Sequence, residues 1–327
     1  MNKLFILIVG FMFFSSHIIA GDNDFPFRLK EKSFTLKQNK KNIIPLRIIN
    51  SVRLTEYSLA APKKYKVNPV KLAVLGGAAL GAFTAMHIYY ANTWWKDSKH
   101  YFKFAQDGYY ARNIDKASHI YTANVFTEGI AMAFEWTGIN PKSALIYGAI
   151  TSMAYETYIE IYDGFAPNWG FDWVDMGANI FGAAYPFLQR TVPVFEDINF
   201  KWSFKPEWIG KKIDNEKTND LLDDYTNMTF WLSVNPEIVF PKSFTKAKYY
   251  PNFLAIALGM SIKNASHTVG GSQNEYTEWY LALDIDVRKL PGKSDFLVKL
   301  KKLLNFYHFP TPAVRFSPSG IWYGLYF

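Results

Sequence analysis

The spacing of hydrophobic and polar residues changes near residue 194 of this 327-residue chain. Residues 68–193 carry apolar positions at helical spacing, which predicts about four helices joined by short connections. Residues 194–327 alternate between apolar and polar positions, which is the period of a β-strand. The pattern predicts an α+β fold in which an antiparallel helical bundle is followed by a C-terminal antiparallel β region with one short helix at about 294–306.

The first predicted helix is strongly apolar. Residues 72–95, "LAVLGGAALGAFTAMHIYYANTWW", contain no charged side chain, and a stretch of this length can span a bilayer. Gly77 and Gly81 place small residues on one face, as in helices that approach each other closely in membranes. The alternative is a central helix buried in a soluble bundle. We favour contact with a membrane.

The other predicted helices begin at capping residues. One begins near Asp115, and the next begins at Asn140-Pro141, where asparagine caps the helix and proline occupies its first turn. The last begins at Asp172, and Asp175 follows three residues later in an arrangement like a capping box. These signals place three helix starts between residues 115 and 175.

The C-terminal strands show a clear apolar face. In "WYLALDIDVR" five apolar residues share one face: Trp279, Leu281, Leu283, Ile285 and Val287. In the last strand four residues share a face: Ile321, Tyr323, Leu325 and Phe327. This ending resembles the last strand of bacterial outer-membrane barrels. We prefer an antiparallel sheet whose apolar face packs on the helices, because a barrel needs about eight strands.

The N-terminus predicts export. A lysine, an uninterrupted apolar run and a small residue follow one another in "MNKLFILIVGFMFFSSHIIAG", which indicates a signal peptide over residues 1–20. Residues 21–67 are predicted to form a basic segment with short strands. Between residues 21 and 71, twelve basic residues face four acidic ones, a surplus equal to the net charge of +8 of the whole chain. Such a segment suits anionic lipid or lipopolysaccharide phosphate, or it is a solvated arm. Nucleic acid is not expected as a partner of an exported protein.

The composition limits the kind of envelope protein. The sequence contains no cysteine, so we expect no lipid anchor on cysteine, no disulfide and no thiol nucleophile. Hydrophobic residues make up 49% of the chain, yet the mean hydropathy is only −0.08. These values argue against a protein made mostly of membrane-spanning helices.

Several polar residues fall on shared helix faces. Asp115 and His119 are four residues apart, as are Asp175 and Asn179, so each pair lies on one face of a helix. The middle helix carries an acidic stripe at the same kind of spacing. The candidate catalytic residues are Asp115, Lys116, His119 and Glu156, and the further binding candidates are His100, Asp107, Glu160, Asp163, Asp175 and Asn179.

Three explanations of this polar cluster remain open. A metal site would use His119, His100 and carboxylates such as Glu156, but the spacing typical of di-iron bundles is absent. We therefore expect neither metal nor cofactor. An acid–base site would use His119 with a carboxylate, and Lys116 would bind a phosphate of a lipid substrate. A structural role, which we favour, would make Asp115 and Asp172 helix caps and would pair Lys116 with Glu156.

The motifs "DKASH", "YETYIEIYDG" and "WGFDWVDMGANIFGA", in this order and spacing, resemble the YfiM-like family of predicted periplasmic proteins of unknown function, in its longer Bacteroidota type. They are more distantly similar to VanZ-like membrane proteins. The positions that carry the resemblance are Asp115, Lys116, His119, Glu156, Asp175, Asn179 and Gly182. The resemblance implies an envelope location and a helical core, and it implies no established reaction. This chain lacks the anchoring cysteine of lipoprotein members.

Together these features predict a non-catalytic protein of the cell envelope, either on the periplasmic face of the outer membrane or integral to it. Membrane lipid or lipopolysaccharide is the expected partner, and another envelope protein is a further candidate. An envelope enzyme that acts on a lipid-linked phosphate or glycan precursor is the first alternative. An outer-membrane β-barrel protein is the second.

Overall fold

The computed structural model describes residues 65–96, 101–105, 110–167, 169–205, 224–238, 251–265 and 274–327. All elements within these ranges belong to one unit, Glu56–Phe327. The predicted signal peptide, nearly all of the predicted basic segment, and the candidates His100 and Asp107 lie outside the described residues.

The chain is α+β, as predicted. The described residues contain six α-helices: α1 Pro69–Asn92, α2 Ile114–Trp136, α3 Pro141–Asp163, α4 Trp173–Thr191, α5 Pro193–Glu196 and α6 Asp295–Leu304. They also contain a pair of short parallel strands, β1 Phe104–Ala105 and β2 Phe171–Asp172, and a C-terminal antiparallel sheet of six strands. The strands of that sheet are β3 Ile198–Phe204, β4 Met228–Val234, β5 Leu254–Lys263, β6 Tyr276–Ile285, β7 Thr311–Ser317 and β8 Ile321–Tyr326.

Local capping explains where the helices begin. Asn140 Oδ1 accepts a hydrogen bond from the backbone N–H of Ser143 at 2.9 Å, and Asp172 Oδ1 accepts one from Val174 at 2.7 Å. The prediction that Asp115 caps α2 is wrong. Asn113 occupies the cap position in a left-handed conformation with φ of 69° and makes no side-chain cap bond. Asp115 therefore lies inside the first turn of α2, and its carboxylate is available for tertiary contacts.

Helices α2, α3 and α4 contact one another closely through small residues. A Cβ built on Gly148 of α3 would collide with the carbonyl oxygen of Thr127, and one built on Gly182 of α4 would collide with that of Ile120. Ser152 of α3 donates a hydrogen bond to the carbonyl of Ala123 at 3.1 Å. This close approach holds the polar residues of the three helices within reach of one another.

Helix α1 differs from the other long helices because most of it is exposed. It is long and apolar enough to cross a membrane by length and composition, and only 6% of its most apolar window is buried. The alternative of a buried central helix is therefore wrong. Gly77 and Gly81 have no atom of another element within 4 Å of a built Cβ, so the described part of the chain does not use them for close helix contact.

The six-stranded sheet is a simple antiparallel meander in the order β3-β4-β5-β6-β7-β8. A row of apolar residues crosses all six strands, because each member is the register partner of the next. We call it the outer apolar row: Phe200, Leu232, Leu258, Leu281, Val314 and Trp322. Residues on the same face of a sheet are neighbours across strands, so the row is one continuous apolar surface.

The opposite face of the sheet is buried and combines an apolar cluster around Trp231 and Tyr280 with buried polar side chains, and we call it the polar face for the latter. Lys201 of β3 reaches Asp284 of β6, where its Nζ lies 2.6 Å from Oδ2, although two strands separate them. His308 Nδ1 lies 3.0 Å from Asp284 Oδ1, and all three side chains are completely buried. The sheet therefore curls around its polar face.

The helices cover only part of the apolar face. Tyr121 of α2 contacts Trp202 and Phe230, and Tyr185 of α4 contacts Phe200. These contacts cover β3 and β4, as the preferred prediction requires. At one end of β5, Ile262 is buried in the same cluster. Farther along the apolar face, Leu281 of β6 is 51% exposed.

The last strand departs from simple alternation. Its register with β7 shifts between Thr311 and Ala313, and a shift of this kind turns neighbouring side chains toward the same face. Tyr323 and Tyr326 consequently both contact Tyr280 on the buried face. The prediction that Tyr323 shares a face with Leu325 is therefore wrong.

Candidate functional site

A cavity of about 190 Å³ lies among α1, α2, α3 and α4. Its ionisable lining includes six residues that the sequence singled out: Asp115, His119, Glu156, Glu160, Asp163 and Asp175. Its aromatic lining includes Tyr90, Trp94, Tyr110, Trp169 and Tyr225. The cavity therefore combines acidic side chains with an aromatic wall.

Lys116 lies behind the cavity and is surrounded by carboxylates. Its Nζ is 2.7 Å from Asp175 Oδ1, 3.1 Å from Asp115 Oδ2 and 3.5 Å from Asp172 Oδ2. The predicted pair with Glu156 does not form, because the cap residue Asp172 and Asp175 in the first turn of α4 lie nearer to the ammonium. Lys116 thus ties α2 to the start of α4.

His119 is held in one orientation by Asn179. Its Nδ1 lies 3.0 Å from Asn179 Oδ1, which accepts the hydrogen bond. Its Nε2 then faces three acids, at 3.6 Å from Asp115 Oδ1, 3.8 Å from Asp175 Oδ1 and 3.9 Å from Glu160 Oε1. Burial alone would lower the pKa of His119, but the surrounding carboxylates outweigh burial and raise that pKa to about 10.

Asp115 is the acid that keeps its charge. Burial would raise its pKa, but the charges of His119 and Lys116 and a hydrogen bond from Tyr225 lower it below the usual range. The Tyr225 hydroxyl donates to Asp115 Oδ1 at 2.7 Å. Tyr225 lies far beyond the end of α4 at Thr191, and no local spacing in the sequence pointed to it.

Three other acids, Glu156, Glu160 and Asp175, hold protons more strongly than usual. Burial raises the pKa of Glu156 to about 7, that of Glu160 to about 9 and that of Asp175 to about 7, and the charge of His119 opposes each shift in part. Glu160 Oε2 accepts a hydrogen bond from the backbone N–H of Asp172 at 3.3 Å. Glu156 Oε1 is buried without a hydrogen-bond partner among the residues that the structure describes.

These pKa values predict how stability depends on pH in the presence of a chelator. Glu156 keeps its proton up to about pH 7 in the folded protein but loses it near pH 4.5 when unfolded, and His119 keeps its proton up to about pH 10 instead of 6.5. The folded state therefore binds more protons across this window, and stability falls as pH rises. We expect a lower melting temperature at pH 9 than at pH 5, by circular dichroism. An equal or higher melting temperature at pH 9 would contradict the raised pKa values of Glu156 and His119. Glu156→Gln, which has no proton to lose in this range, should reduce the difference in melting temperature between the two pH values.

The structure brings most of the sequence-predicted residues together. Asp115, Lys116, His119, Glu160, Asp175 and Asn179 are joined by the contacts above, and Glu156 lines the same cavity. Asp163 lies at its edge, where its Oδ1 accepts a hydrogen bond from Trp95 Nε1 at 2.6 Å. One atom each of Asp115, His119 and Asp175 lie within 4.8 Å of one another, which is close enough for them to hold a single ion.

Fold and cavity together define an α+β protein with an acidic, aromatic-walled site between helices. Residues 103–191, which supply most of the cavity, match a family described as predicted periplasmic lipoproteins (DUF2279). No curated protein and no solved structure matches the chain. The similarity supports export to the periplasm, and the family description names no activity. The sequence itself contains no cysteine.

Proposed function

We propose that the chain is a non-catalytic protein of the cell envelope that lies in the periplasm and attaches to the outer membrane through its C-terminal sheet. The observation that carries this proposal is the polarity of the sheet. The face that carries Lys201 and Asp284 is buried together with the cluster around Trp231 and Tyr280, whereas the outer apolar row is exposed over β5 to β8. Outer-membrane strands have this arrangement, with apolar residues outside and polar residues inside.

A continuous row of exposed apolar side chains favours contact with an occupant. Each Å² of apolar surface in water costs about 25 cal/mol, and contiguous patches beyond a few hundred Å² mark sites of contact with protein or membrane. At one end of the row Trp322 is 67% exposed, and exposed tryptophans are typical of the membrane interface.

Helix α6 supports lipid as the occupant. Its apolar side chains face outward, and Phe296 is 73% exposed. Its lysines turn toward the protein: Lys301 Nζ donates to the carbonyls of Leu290 and Gly292 at 2.7 Å, and Lys302 pairs with Glu128. An amphipathic helix with its apolar side exposed is typical of binding at a bilayer surface. The basic segment at 21–67 would add attraction to anionic lipid or lipopolysaccharide phosphate.

Vesicle flotation of the purified full chain tests the proposal. Vesicles of phosphatidylethanolamine and phosphatidylglycerol, with and without lipopolysaccharide, should carry the wild type upward in a density gradient. The double variant Leu281→Ser/Leu283→Ser should stay at the bottom while its circular dichroism spectrum is unchanged. Ile146→Ser/Ile150→Ser, which removes two exposed apolar residues of α3, is the matched control and should still float.

Wild-type protein that stays at the bottom with both kinds of vesicle would overturn attachment to lipid. In cells, density fractionation should place the protein with the outer membrane. Mobility on gels that changes with heating would instead favour the integral β-barrel, because folded outer-membrane barrels resist unfolding. Resistance to carbonate extraction without a change in mobility would favour a span through α1.

We further propose that α1 to α4 form an antiparallel bundle of the YfiM-like kind, distantly similar to VanZ-like proteins. The cavity supports this proposal, because residues of all three motifs line it. Asn179 of the third motif also holds His119 of the first by a hydrogen bond. The function of this bundle would be to bind a ligand in the cavity rather than to convert one.

An envelope enzyme that acts on a glycan precursor is the second candidate. Two carboxyl groups that line the same cavity favour it. Asp115 is ionised because its pKa is lowered, whereas burial raises the pKa of Glu156 to about 7. Two carboxyl groups with separated pKa values can act as base and acid. A phosphate substrate is disfavoured because Lys116 is already surrounded by acids. Loss of an envelope phenotype in Glu156→Gln at unchanged melting temperature would favour this enzyme over the binding protein.

A further inference from the structure

We propose that Asp115, His119 and Asp175 bind one divalent transition-metal ion, of the Zn²⁺ or Mn²⁺ type, in the cavity. This site is separate from the proposed attachment to the membrane, which uses the sheet and α6. It also differs from the expectation that the chain binds no metal.

The donor atoms are spaced for one ion. His119 Nε2 lies 3.6 Å from Asp115 Oδ1 and 3.8 Å from Asp175 Oδ1. Ligands that each lie about 2.1 Å from Zn²⁺ are roughly 3–4 Å apart from one another. Glu160 Oε1, at 3.9 Å from the same nitrogen, can supply a fourth ligand.

The supporting contacts suit a metal ligand. Metal-binding histidines usually donate their other ring N–H to an oxygen, which fixes the ring and its tautomer. His119 does so, since Nδ1 is hydrogen-bonded to Asn179 Oδ1 at 3.0 Å and Nε2 is left to face the acids. Tyr225 gives Asp115 a comparable support through its hydroxyl, at 2.7 Å.

An unpartnered buried acceptor points to a missing ligand independently of these distances. Glu156 is 2% exposed and lines the cavity, and its Oε1 has no hydrogen-bond partner among the described residues. Leaving a buried acceptor unsatisfied costs about 1–3 kcal/mol. A water bound to the ion would donate to Glu156 Oε1 and satisfy it.

The charge balance also favours a cation. Among the residues that the structure describes, two basic side chains, Lys116 and His119, lie beside five buried carboxyl groups: Asp115, Glu156, Glu160, Asp172 and Asp175. Buried acids need compensation by positive charge or by protons. The mixed donor set of one imidazole and several carboxylates selects Zn²⁺ or Mn²⁺ rather than Ca²⁺ or Mg²⁺, which prefer oxygen alone.

Metal titration of the purified full chain, without vesicles, tests this site. After dialysis against a chelator, the protein is titrated with ZnCl₂ and, separately, with MnCl₂, and bound metal is measured by mass spectrometry. We expect about one ion for each chain, with binding weakened at least tenfold in His119→Ala and in Asn179→Leu. Glu135→Gln removes a carboxylate of α2 outside the cavity and should bind as the wild type does.

Absence of bound Zn²⁺ and Mn²⁺ in the wild type would overturn the proposal, and this outcome does not depend on whether a variant folds. Equal binding by wild type and a folded His119→Ala would overturn it as well. Co²⁺ offers a second measurement, because visible absorption reports its ligands: a wild-type spectrum that changes in His119→Ala supports the site, and an unchanged spectrum contradicts it. Flotation is measured separately, so failure here leaves the proposal on membrane attachment standing.

Discussion

Lys116→Met should lower the free energy of unfolding by about 3–5 kcal/mol, the usual cost of removing one partner of a buried ion pair. Lys116 Nζ is the common partner of Asp115, Asp172 and Asp175, and all three acids are buried. Methionine has a similar length but no charge, so the acids would keep their burial and lose the ammonium that contacts all three of them. They would have to take up protons or attract water into the core.

Denaturant unfolding followed by circular dichroism measures this change. Lys142→Met is the matched control, because Lys142 is exposed near the start of α3, and it should change stability by less than about 0.5 kcal/mol. A Lys116→Met protein as stable as the control would show that the ammonium does not hold α2 and α4 together.

Asp284→Asn should have an effect of similar size in the other half of the molecule. Asp284 is the acid that compensates the buried ammonium of Lys201, at 2.6 Å, and it also accepts a hydrogen bond from Ser233 Oγ at 2.5 Å. The change leaves Lys201 charged in a buried site with a neutral amide, so we expect a loss of about 3–5 kcal/mol.

The control for Asp284→Asn is Asp295→Asn, at an exposed position in the first turn of α6. It removes a carboxylate without leaving a buried charge, and it should cost less than about 1 kcal/mol. The outcome decides whether the polar face of the sheet is the interior. If Asp284→Asn cost no more than its control, the polar face would be in contact with water.

How far the sequence predicted the fold depends on the range of the interactions. Helix starts at Asn140 and Asp172 depend on bonds to residues two or three positions away, and both were predicted. The start of α2 was assigned to Asp115 because an acid before a helical pattern is a common cap. Asn113 takes that position with a left-handed backbone, a conformation in which asparagine is enriched, but an asparagine two residues before an acid does not by itself reveal which of the two residues precedes the helix.

The candidate site was predicted in outline and missed in detail. Spacing of four residues correctly placed Asp115 and His119 on one face. Partners of Lys116 could not be chosen from spacing, because several acids on other helices fit equally well before the packing is known. The contribution of Tyr225 depends on the chain returning to α2 after the first strand of the sheet.

The polarity of the sheet shows a different limit. Alternation with a period of two separates the residues of a strand into two faces, but it does not say which face is buried. The apolar face was expected to pack on the helices, and Tyr121 does cover Trp202 and Phe230. Over the later strands the polar face is the buried one, because Trp231 and Tyr280 pack together there and Asp284 of β6 compensates the charge of Lys201 from β3.

The most direct test of membrane attachment is a fluorescent label on the outer apolar row. The sequence contains no cysteine, so Leu281→Cys can be labelled at one site with an environment-sensitive dye, and Lys142→Cys provides a matched position on a helix. On addition of phosphatidylethanolamine–phosphatidylglycerol vesicles, the dye at position 281 should shift to shorter wavelength and brighten, while the dye at position 142 should not change. An unchanged spectrum at position 281, in a protein that remains folded, would contradict the account.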